Sequence, residues 1–310
     1  MGNRLSELIE LGSGSVVLRR RGGREFGLHP AGGGNVLWRN PLPYPGSGWE
    51  NPGGGRTWIS PEAELFFPDQ SAGWNAYTVP AELDPGDYRV LESTPESAVL
   101  GNRFEARFFA SRRKLNLELE KRVTVLPRPD WLDSRAAFAG YRLETRLCAL
   151  EPVPEDVNPA IWNLLQLPPG GIITIAGAGR PQIYFGRPGY EERDGVFSVG
   201  IPAAGESYKL GFRPPPGATT RLWYRNHTSL VVREFRVSGN CFDTPFPRGS
   251  APACPLQVFS DNGTDGGFGE MEYHSEALTP ERPVVVDHCS TWACVAETEV
   301  LETISEQLLR

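Results

Sequence analysis

One stretch near the end of the sequence combines two carboxylates and a histidine at strand spacing. It reads FGEMEYHSE over residues 268–276. Alternate side chains of a strand point to the same side, so Glu270, Glu272 and His274 share one face. Neighbouring carboxylates repel each other, which raises at least one pKa and suits general acid–base chemistry. The alternative is a solvent-exposed polar face whose intervening residues turn to the core.

A second candidate is the run GGGRTWISPE over residues 53–62. Arg56 and Trp58 are two residues apart and face the same way on an extended strand. An indole stacks on the C–H face of a sugar, while a guanidinium reaches hydroxyls or a carboxylate. The alternative is a buried Trp58 with Arg56 paired to Glu62 or Glu64 as a structural contact.

The remaining histidines carry weaker signals. His227 precedes a Val-rich segment and is interpreted as a turn residue. His288 follows a Val-rich run and either lines a pocket or ends a strand. The 5 Cys show no CxxC pair and no zinc-ligand spacing, which predicts free thiols.

Several patterns typical of cofactor sites are incomplete. The glycine runs at 32–34 and 53–55 are not followed by Lys-Ser/Thr and a helix, as a phosphate-binding loop requires. The segment 260–265 resembles a metal loop but has the Asn-Gly of a tight turn and the wrong spacing for calcium. The sequence therefore predicts no cofactor and no metal.

Strands are needed to position these residues, and strand patterns dominate the chain. Lys114–Leu126 alternates apolar and polar residues, and Lys121 alone breaks the apolar row. Two helices are predicted, a short one at Ser6–Leu11 and a tail helix at Glu299–Leu309. The Pro-rich stretch 152–159 is interpreted as a crossing between two halves of one sandwich. Further strands are predicted at Val16–Arg20, Phe104–Phe109, Gly171–Ala176, Gln182–Phe185, Tyr208–Phe212, Leu222–Tyr224, Ser229–Val237, Leu256–Ser260, Phe268–His274 and Pro283–Glu297.

Composition narrows the class of protein. The 310 residues include 35 Gly and 29 Pro spread along the chain, which is typical of many short strands joined by turns. A net charge of −7 argues against a nucleic-acid partner. No apolar run approaches the ~18 residues of a membrane span, and no signal-peptide pattern is found, so we expect no membrane contact and a cytoplasmic location. We expect one domain over residues 1–310, as a monomer or homodimer.

The two candidate segments together resemble a family. The run GGGRTWISPEAELFF is similar to a Gly-Gly-x-x-Arg-x-Trp-x-x-Pro-Glu signature of uncharacterised bacterial families in the galactose-mutarotase-like superfamily. The resemblance continues through Trp74 and Pro80, the strand Leu119–Leu126, the run Ile161–Leu167, and the turn and Glu-x-Glu strand at 260–277. It implies an all-β fold, a β-supersandwich of large antiparallel sheets whose concave face holds a sugar.

The resemblance also implies roles. In aldose 1-epimerases of this superfamily, a Glu on a late strand removes the proton of the anomeric hydroxyl while a His protonates the ring oxygen. Glu270 or Glu272 resembles that base, and the segment with Arg56, Trp58, Glu62 and Trp74 resembles the sugar-binding part. The region directly after Arg56 has no His where these enzymes carry one, and Pro159-Ala160 stands where the second is expected. His274 and His288 remain as candidate acids.

Three functions stay open at this stage. The first is an epimerase-like isomerase acting on a sugar or sugar acid. The second is a non-catalytic carbohydrate-binding or sensing domain. The third is a polysaccharide lyase in which Arg56 neutralises a uronate carboxylate. In each case the partner is a small carbohydrate or an oligosaccharide.

Overall fold

The computed structural model describes residues 7–31, 33–42, 49–243, 253–261 and 263–309. Strands dominate this part of the chain, as the alternating patterns predict. In chain order they are β1 (Leu8–Leu11), β2 (Val16–Arg19), β3 (Arg24–Leu28), β4 (Gly55–Ser60), β5 (Arg89–Ser93), β6 (Ser97–Phe108), β7 (Arg113–Val125), β8 (Ala137–Ala149), β9 (Ala160–Leu167), β10 (Gly171–Ala176), β11 (Gln182–Phe185), β12 (Tyr190–Arg193), β13 (Val196–Ile201), β14 (Tyr208–Phe212), β15 (Thr219–Arg225), β16 (Ser229–Arg236), β17 (Leu256–Ser260), β18 (Gly269–Ala277) and β19 (Val284–Val295).

The strands form two large antiparallel sheets. One has the order β1-β2-β3-β4-β9-β18-β17-β14-β11, and the other the order β12-β13-β10-β15-β16-β19-β8-β7-β6-β5. The chain crosses between them over residues 150–159, since β8 belongs to the second sheet and β9 to the first. The predicted crossing at 152–159 is therefore confirmed.

Helices are short. They are α1 (Glu62–Leu65), a 3-10 segment (Gln70–Ala76) and α2 (Thr298–Gln307). The predicted tail helix is confirmed by α2. None of the helices in the described ranges is long and apolar enough to cross a membrane.

The helix predicted at Ser6–Leu11 is wrong. Ser6 lies outside the described residues, and Leu8–Leu11 is strand β1 instead. This strand pairs in an antiparallel hairpin with β2. The turn between them includes Gly12 and Gly14 with positive φ, so the backbone reverses and the apolar residues meet a sheet partner rather than a helix face.

The strand predicted at Lys114–Leu126 is confirmed as β7, and the break in its apolar row has a reason. Lys121 is fully buried with the leucines of its row. Its Nζ lies 2.7 Å from a carboxylate oxygen of Glu25 and 2.5 Å from the carbonyl oxygen of Gly23, which accepts its hydrogen bond. A charge that loses water in the core needs such partners.

The two faces of the first sheet have different environments. On β18, Tyr273 points toward the second sheet, where its ring stacks on Phe235 at 4.1 Å and its hydroxyl donates to Asp287 at 2.6 Å. Met271 is fully buried in the core between the sheets. The alternate residues of β18 therefore face away from the core, onto the opposite side of the first sheet.

Candidate functional site

A cavity of about 540 Å³ lies on the outer side of the first sheet. Its volume falls within the range of small-molecule sites. The strands β4, β9, β18 and β14 provide its floor, with α1 and loops around it. Its lining is Trp49, Arg56, Trp58, Glu62, Trp74, Tyr77, Trp162, Leu164, Phe185, Ser207, Lys209, Phe259, Asp261, Thr264, Asp265, Phe268 and Glu270.

The start of β4 depends on two glycines. Gly53 and Gly54 both have positive φ. A Cβ on Gly53 would lie 2.3 Å from the carbonyl oxygen of Trp38, and one on Gly54 would lie 2.5 Å from that of Glu25. The glycines therefore provide the close backbone approach that brings the following residues of β4 into the sheet.

Arg56 and Trp58 both line the cavity, as their spacing predicts. The guanidinium carbon of Arg56 lies 4.1 Å from the centre of the Trp58 ring, a cation–π contact. Arg56 Nη1 lies 2.7 Å from Glu270 Oε1, and both side chains are about 95% buried. The partner of Arg56 therefore comes from β18, more than two hundred residues away in sequence.

The aromatic floor is held by a carboxylate that the sequence analysis missed. Trp49 and Trp58 each donate their indole N–H to Asp84 Oδ2 at 3.0 Å. Arg24 donates to the same oxygen at 2.6 Å, and this pair is buried. These bonds fix the two indoles, whose ring centres are 5.4 Å apart.

Glu270 and Glu272 lie on the same side of β18 but in different places. Glu270 lines the cavity, whereas Glu272 is fully buried beneath it. Glu272 Oε2 accepts a hydrogen bond from Trp162 Nε1 at 2.8 Å and lies 3.0 Å from Lys209 Nζ. The alternative of a solvent-exposed face is wrong, because the neighbouring strands and loops cover these residues.

Lys209 is the second residue that the sequence analysis missed. It is the charged residue of the apolar strand β14, and it is nearly completely buried. Burial works against its charge, but Glu272 and Glu62 outweigh burial and raise the pKa of Lys209. The signal available in the sequence was a lone Lys inside the run YKLGF, where an unpaired charge would be costly.

Glu62 is the first residue of α1 and is also buried. Its backbone N–H donates to Asp243 Oδ1 at 2.7 Å. Its Oε2 lies 4.0 Å from Lys209 Nζ, beyond hydrogen-bond distance, and has no hydrogen-bond partner in the described protein. Burial raises the pKa of Glu62 to about 7, with Asp243 adding to the rise and Lys209 opposing it.

The two candidate histidines do not line the cavity. His274 is buried behind Trp162, stacked on its ring at 5.5 Å, with Nε2 3.5 Å from Asp243 Oδ2. Burial lowers the pKa of His274 to about 4, so the ring is neutral at neutral pH. His288 lies on β19 of the other sheet, half-exposed, with Nδ1 3.6 Å from Glu144. The structure does not bring His288 together with the other predicted site residues.

The rim of the cavity is aromatic and polar. Trp74 is 48% exposed and packs edge-to-face on Phe185 at 5.7 Å. Across from it, the turn predicted after β17 is confirmed: Asp261 Oδ2 accepts backbone N–H bonds from Gly263 at 3.0 Å and Gly267 at 2.9 Å. Asn262 of that turn lies outside the described residues.

Two solved structures share this architecture over most of the chain. Both are named “putative aldose 1-epimerase”. The protein from Escherichia coli K12 is 13% identical with a TM-score of 0.50, covering 92% of this chain and 98% of its own. The protein from Klebsiella pneumoniae is 11% identical with a TM-score of 0.55, covering 94% of this chain and 79% of its own.

The chain has the galactose-mutarotase-like fold. The fold class predicted from the sequence is therefore confirmed. At this level of identity the likeness concerns the fold, and the predicted signature around Arg56 stays a prediction. No protein-family model and no curated protein matches the sequence.

Proposed function

We propose that the cavity binds a sugar and interconverts its anomers, as an epimerase-like isomerase. The observation that carries the proposal is the buried pair of Glu270 and Arg56 at 2.7 Å in the wall of an aromatic cavity. Glu270 is the base in this scheme. Glu272 is not, because it lies beneath the cavity and is occupied by Lys209 and Trp162.

The lining suits a pyranose. Flat indole and phenyl faces accept the C–H surface of a sugar ring, and the charged groups between them accept or donate hydrogen bonds to hydroxyls. Trp74 at the rim is 48% exposed and offers such a face, whereas Trp58 and Trp162 at the floor are nearly completely buried, with ring centres 5.5 Å apart. In this proposal a sugar ring contacts the aromatic rim while its hydroxyls meet Arg56 and Glu270.

The charges favour a neutral sugar over a sugar acid. Among the described residues, two cations line the cavity, and each already has a carboxylate within 3.0 Å: Arg56 has Glu270, and Lys209 has Glu272. A uronate or phosphate would have to compete with these buried pairs. The same observation weighs against the lyase hypothesis, in which Arg56 must neutralise a substrate carboxylate.

The proposed function is tested by measuring the rate of anomer exchange with the wild-type protein. Freshly dissolved α-anomers of D-glucose, D-galactose and D-xylose are followed by polarimetry, with galacturonate and a hexose phosphate as charged comparators. We expect the neutral sugars to equilibrate faster than in buffer alone. A rate equal to the buffer rate for every sugar would contradict the proposed isomerase, and an absorbing unsaturated product from a polyuronate would favour the lyase.

A second candidate is a non-catalytic sugar-binding domain. It is favoured by one observation: within the described residues, the lining of the cavity contains no His. Thermal melting in the same sugars distinguishes the two functions, since a ligand at a hundred times its Kd adds about 2.7 kcal/mol of stability. A raised melting temperature without anomer exchange would support binding alone.

Removing the rim aromatic should weaken sugar binding without unfolding the protein. We expect Trp74→Ala to raise the Kd of the sugar that binds by about tenfold, because it removes one stacking surface. Trp131→Ala is the matched control, since Trp131 is 50% exposed and packs on Trp292 outside the cavity. Equal affinities for both variants, measured by calorimetric titration, would remove Trp74 from the site.

A further inference from the structure

We propose that Glu62 is the general acid of this site and donates a proton to the ring oxygen of the sugar. The inference rests on the proposed isomerase function. It assigns the role for which the described lining of the cavity offers no His, and it gives Glu62 a catalytic role rather than the substrate-binding role predicted from the sequence.

The position of Glu62 is the first argument. It lines the cavity at the start of α1 and is 95% buried. Its backbone is anchored by the 2.7 Å bond to Asp243. Its Oε2 is buried without a hydrogen-bond partner in the described protein. A buried carboxylate oxygen without a donor is costly, whereas a protonated carboxyl can offer its O–H to a ligand in the cavity.

The charges around Glu62 are the second argument. Four ionisable groups act on its charge: Lys209 on β14, Glu270 and Glu272 on β18, and Asp243. The half-buried Tyr77 also lies near it. Lys209 is nearer to Glu272, at 3.0 Å, than to Glu62, at 4.0 Å. Burial and these carboxylates therefore oppose ionisation of Glu62, and Lys209, the cation that favours it, lies closer to Glu272.

Glu270 differs from Glu62 in the distance to its cation, although both carboxyl groups are buried in the same cavity. Burial raises the pKa of Glu270, but Arg56 opposes that rise from 2.7 Å. A guanidinium at hydrogen-bond distance favours the anion of Glu270, whereas Glu62 has no cation that close among the described residues, so its proton is held more firmly. Two carboxyl groups whose surroundings differ in this way supply a base and an acid to one reaction.

The step balances without a further reactant. Glu270 takes the proton of the anomeric hydroxyl, and the O–H electron pair forms the carbonyl bond at C1. The bond between C1 and the ring oxygen breaks, and the ring oxygen takes the proton of Glu62. After rotation about the bond from C1 to C2, the hydroxyl attacks C1 from the other face. The proton returns to Glu62, and Glu270 returns its proton to the new anomeric oxygen.

The test compares wild type, Glu62→Gln, Glu62→Asp and Glu64→Gln in anomer exchange with D-glucose, D-galactose and D-xylose. We expect Glu62→Gln to lower the rate by about 100- to 10,000-fold while the Kd of the sugar changes little. We expect Glu62→Asp to recover part of the rate. Glu64→Gln is the control, because Glu64 lies on the same short helix but does not line the cavity.

The pH profile separates an acid from a structural residue. The wild-type rate should fall as pH rises past the pKa of Glu62, near 7, because the proton to be donated is then lost. The residual rate of Glu62→Gln should lack this alkaline limb. Carboxyl ¹³C NMR should show one buried Glu titrating in the same range, and its signal should be absent from Glu62→Gln.

Each contrary result has its own meaning. If Glu62→Gln keeps the wild-type rate or the alkaline limb, Glu62 is not the acid, and the proposed isomerase still stands. A carboxyl of Glu62 that is ionised throughout the neutral range would also overturn the inference. If wild type exchanges no sugar at all, the isomerase proposal fails first, and the acid role fails with it.

Discussion

Replacing Glu270 by Gln should lower the rate of anomer exchange by about 100- to 10,000-fold, the contribution typical of a general base. The amide keeps the shape of the side chain but cannot take a proton from the anomeric hydroxyl. Sugar binding should remain measurable, because Trp58, Trp74 and Trp162 are untouched. The measurement is initial rate by polarimetry or NMR exchange, with Kd determined on the same samples.

The substitution also leaves the buried cation of Arg56 without its partner, so the folded fraction must be measured alongside the rate. Glu276→Gln is the matched control: it is a Glu on the same strand, half-exposed and paired with Arg282 on the surface. We expect it to keep the wild-type rate. A Glu270→Gln protein that is folded and exchanges anomers within a few-fold of wild type would remove Glu270 as the base.

The alternation of apolar and polar residues correctly predicted which side chains share a face. The alternation in Lys114–Leu126 and in the segment 268–276 depends only on neighbouring residues, so it predicts which side chains share a face. The same holds for Arg56 and Trp58. These orientations are seen in the structure, where Arg56, Trp58 and Glu270 line one cavity.

The contact partners of those residues could not be predicted from the sequence, because the partners depend on which strands become neighbours in the sheet. Lys209 meets Glu272 through the placement of β14 and β18 around β17. Asp243 meets the start of α1 across 181 residues of sequence. Periodicity indicates a face but not a neighbour, so the buried network around Glu62 could not be predicted.

The predicted site histidines also show that alternation does not identify neighbours, because the fold places both of them outside the cavity. His274 shares its face with Glu270, as predicted, but Trp162 and Asp243 enclose it away from the cavity. The segment around His288 was correctly predicted as a strand, but that strand, β19, belongs to the second sheet, whereas the cavity lies on the first. A pattern of alternation does not say which sheet a strand enters or which loops cover its end.

Replacing Lys209 by Met should destabilise the protein by about 3–5 kcal/mol, the cost typical of leaving one member of a buried ion pair alone. Glu272 would stay buried, with the Trp162 N–H still donating to it at 2.8 Å. The free energy of unfolding is measured by urea or guanidinium titration. Lys114→Met is the matched control, since Lys114 pairs with Glu105 at 2.9 Å on the surface, where a pair contributes about 0–1 kcal/mol.

A second substitution should reverse most of this loss. In the double variant Lys209→Met, Glu272→Gln, the amide oxygen can still accept from Trp162 and no charge is buried alone, so we expect a stability near that of wild type. Glu272→Gln by itself should cost less than Lys209→Met, because removal of the Glu272 charge lets Glu62, 4.0 Å from Lys209 Nζ, ionise and take its place as the partner of Lys209. We therefore expect the free energy of unfolding to be lowest for Lys209→Met, higher for Glu272→Gln and highest for the double variant. If the two single losses simply add in the double variant, the buried pair is not what Lys209 contributes.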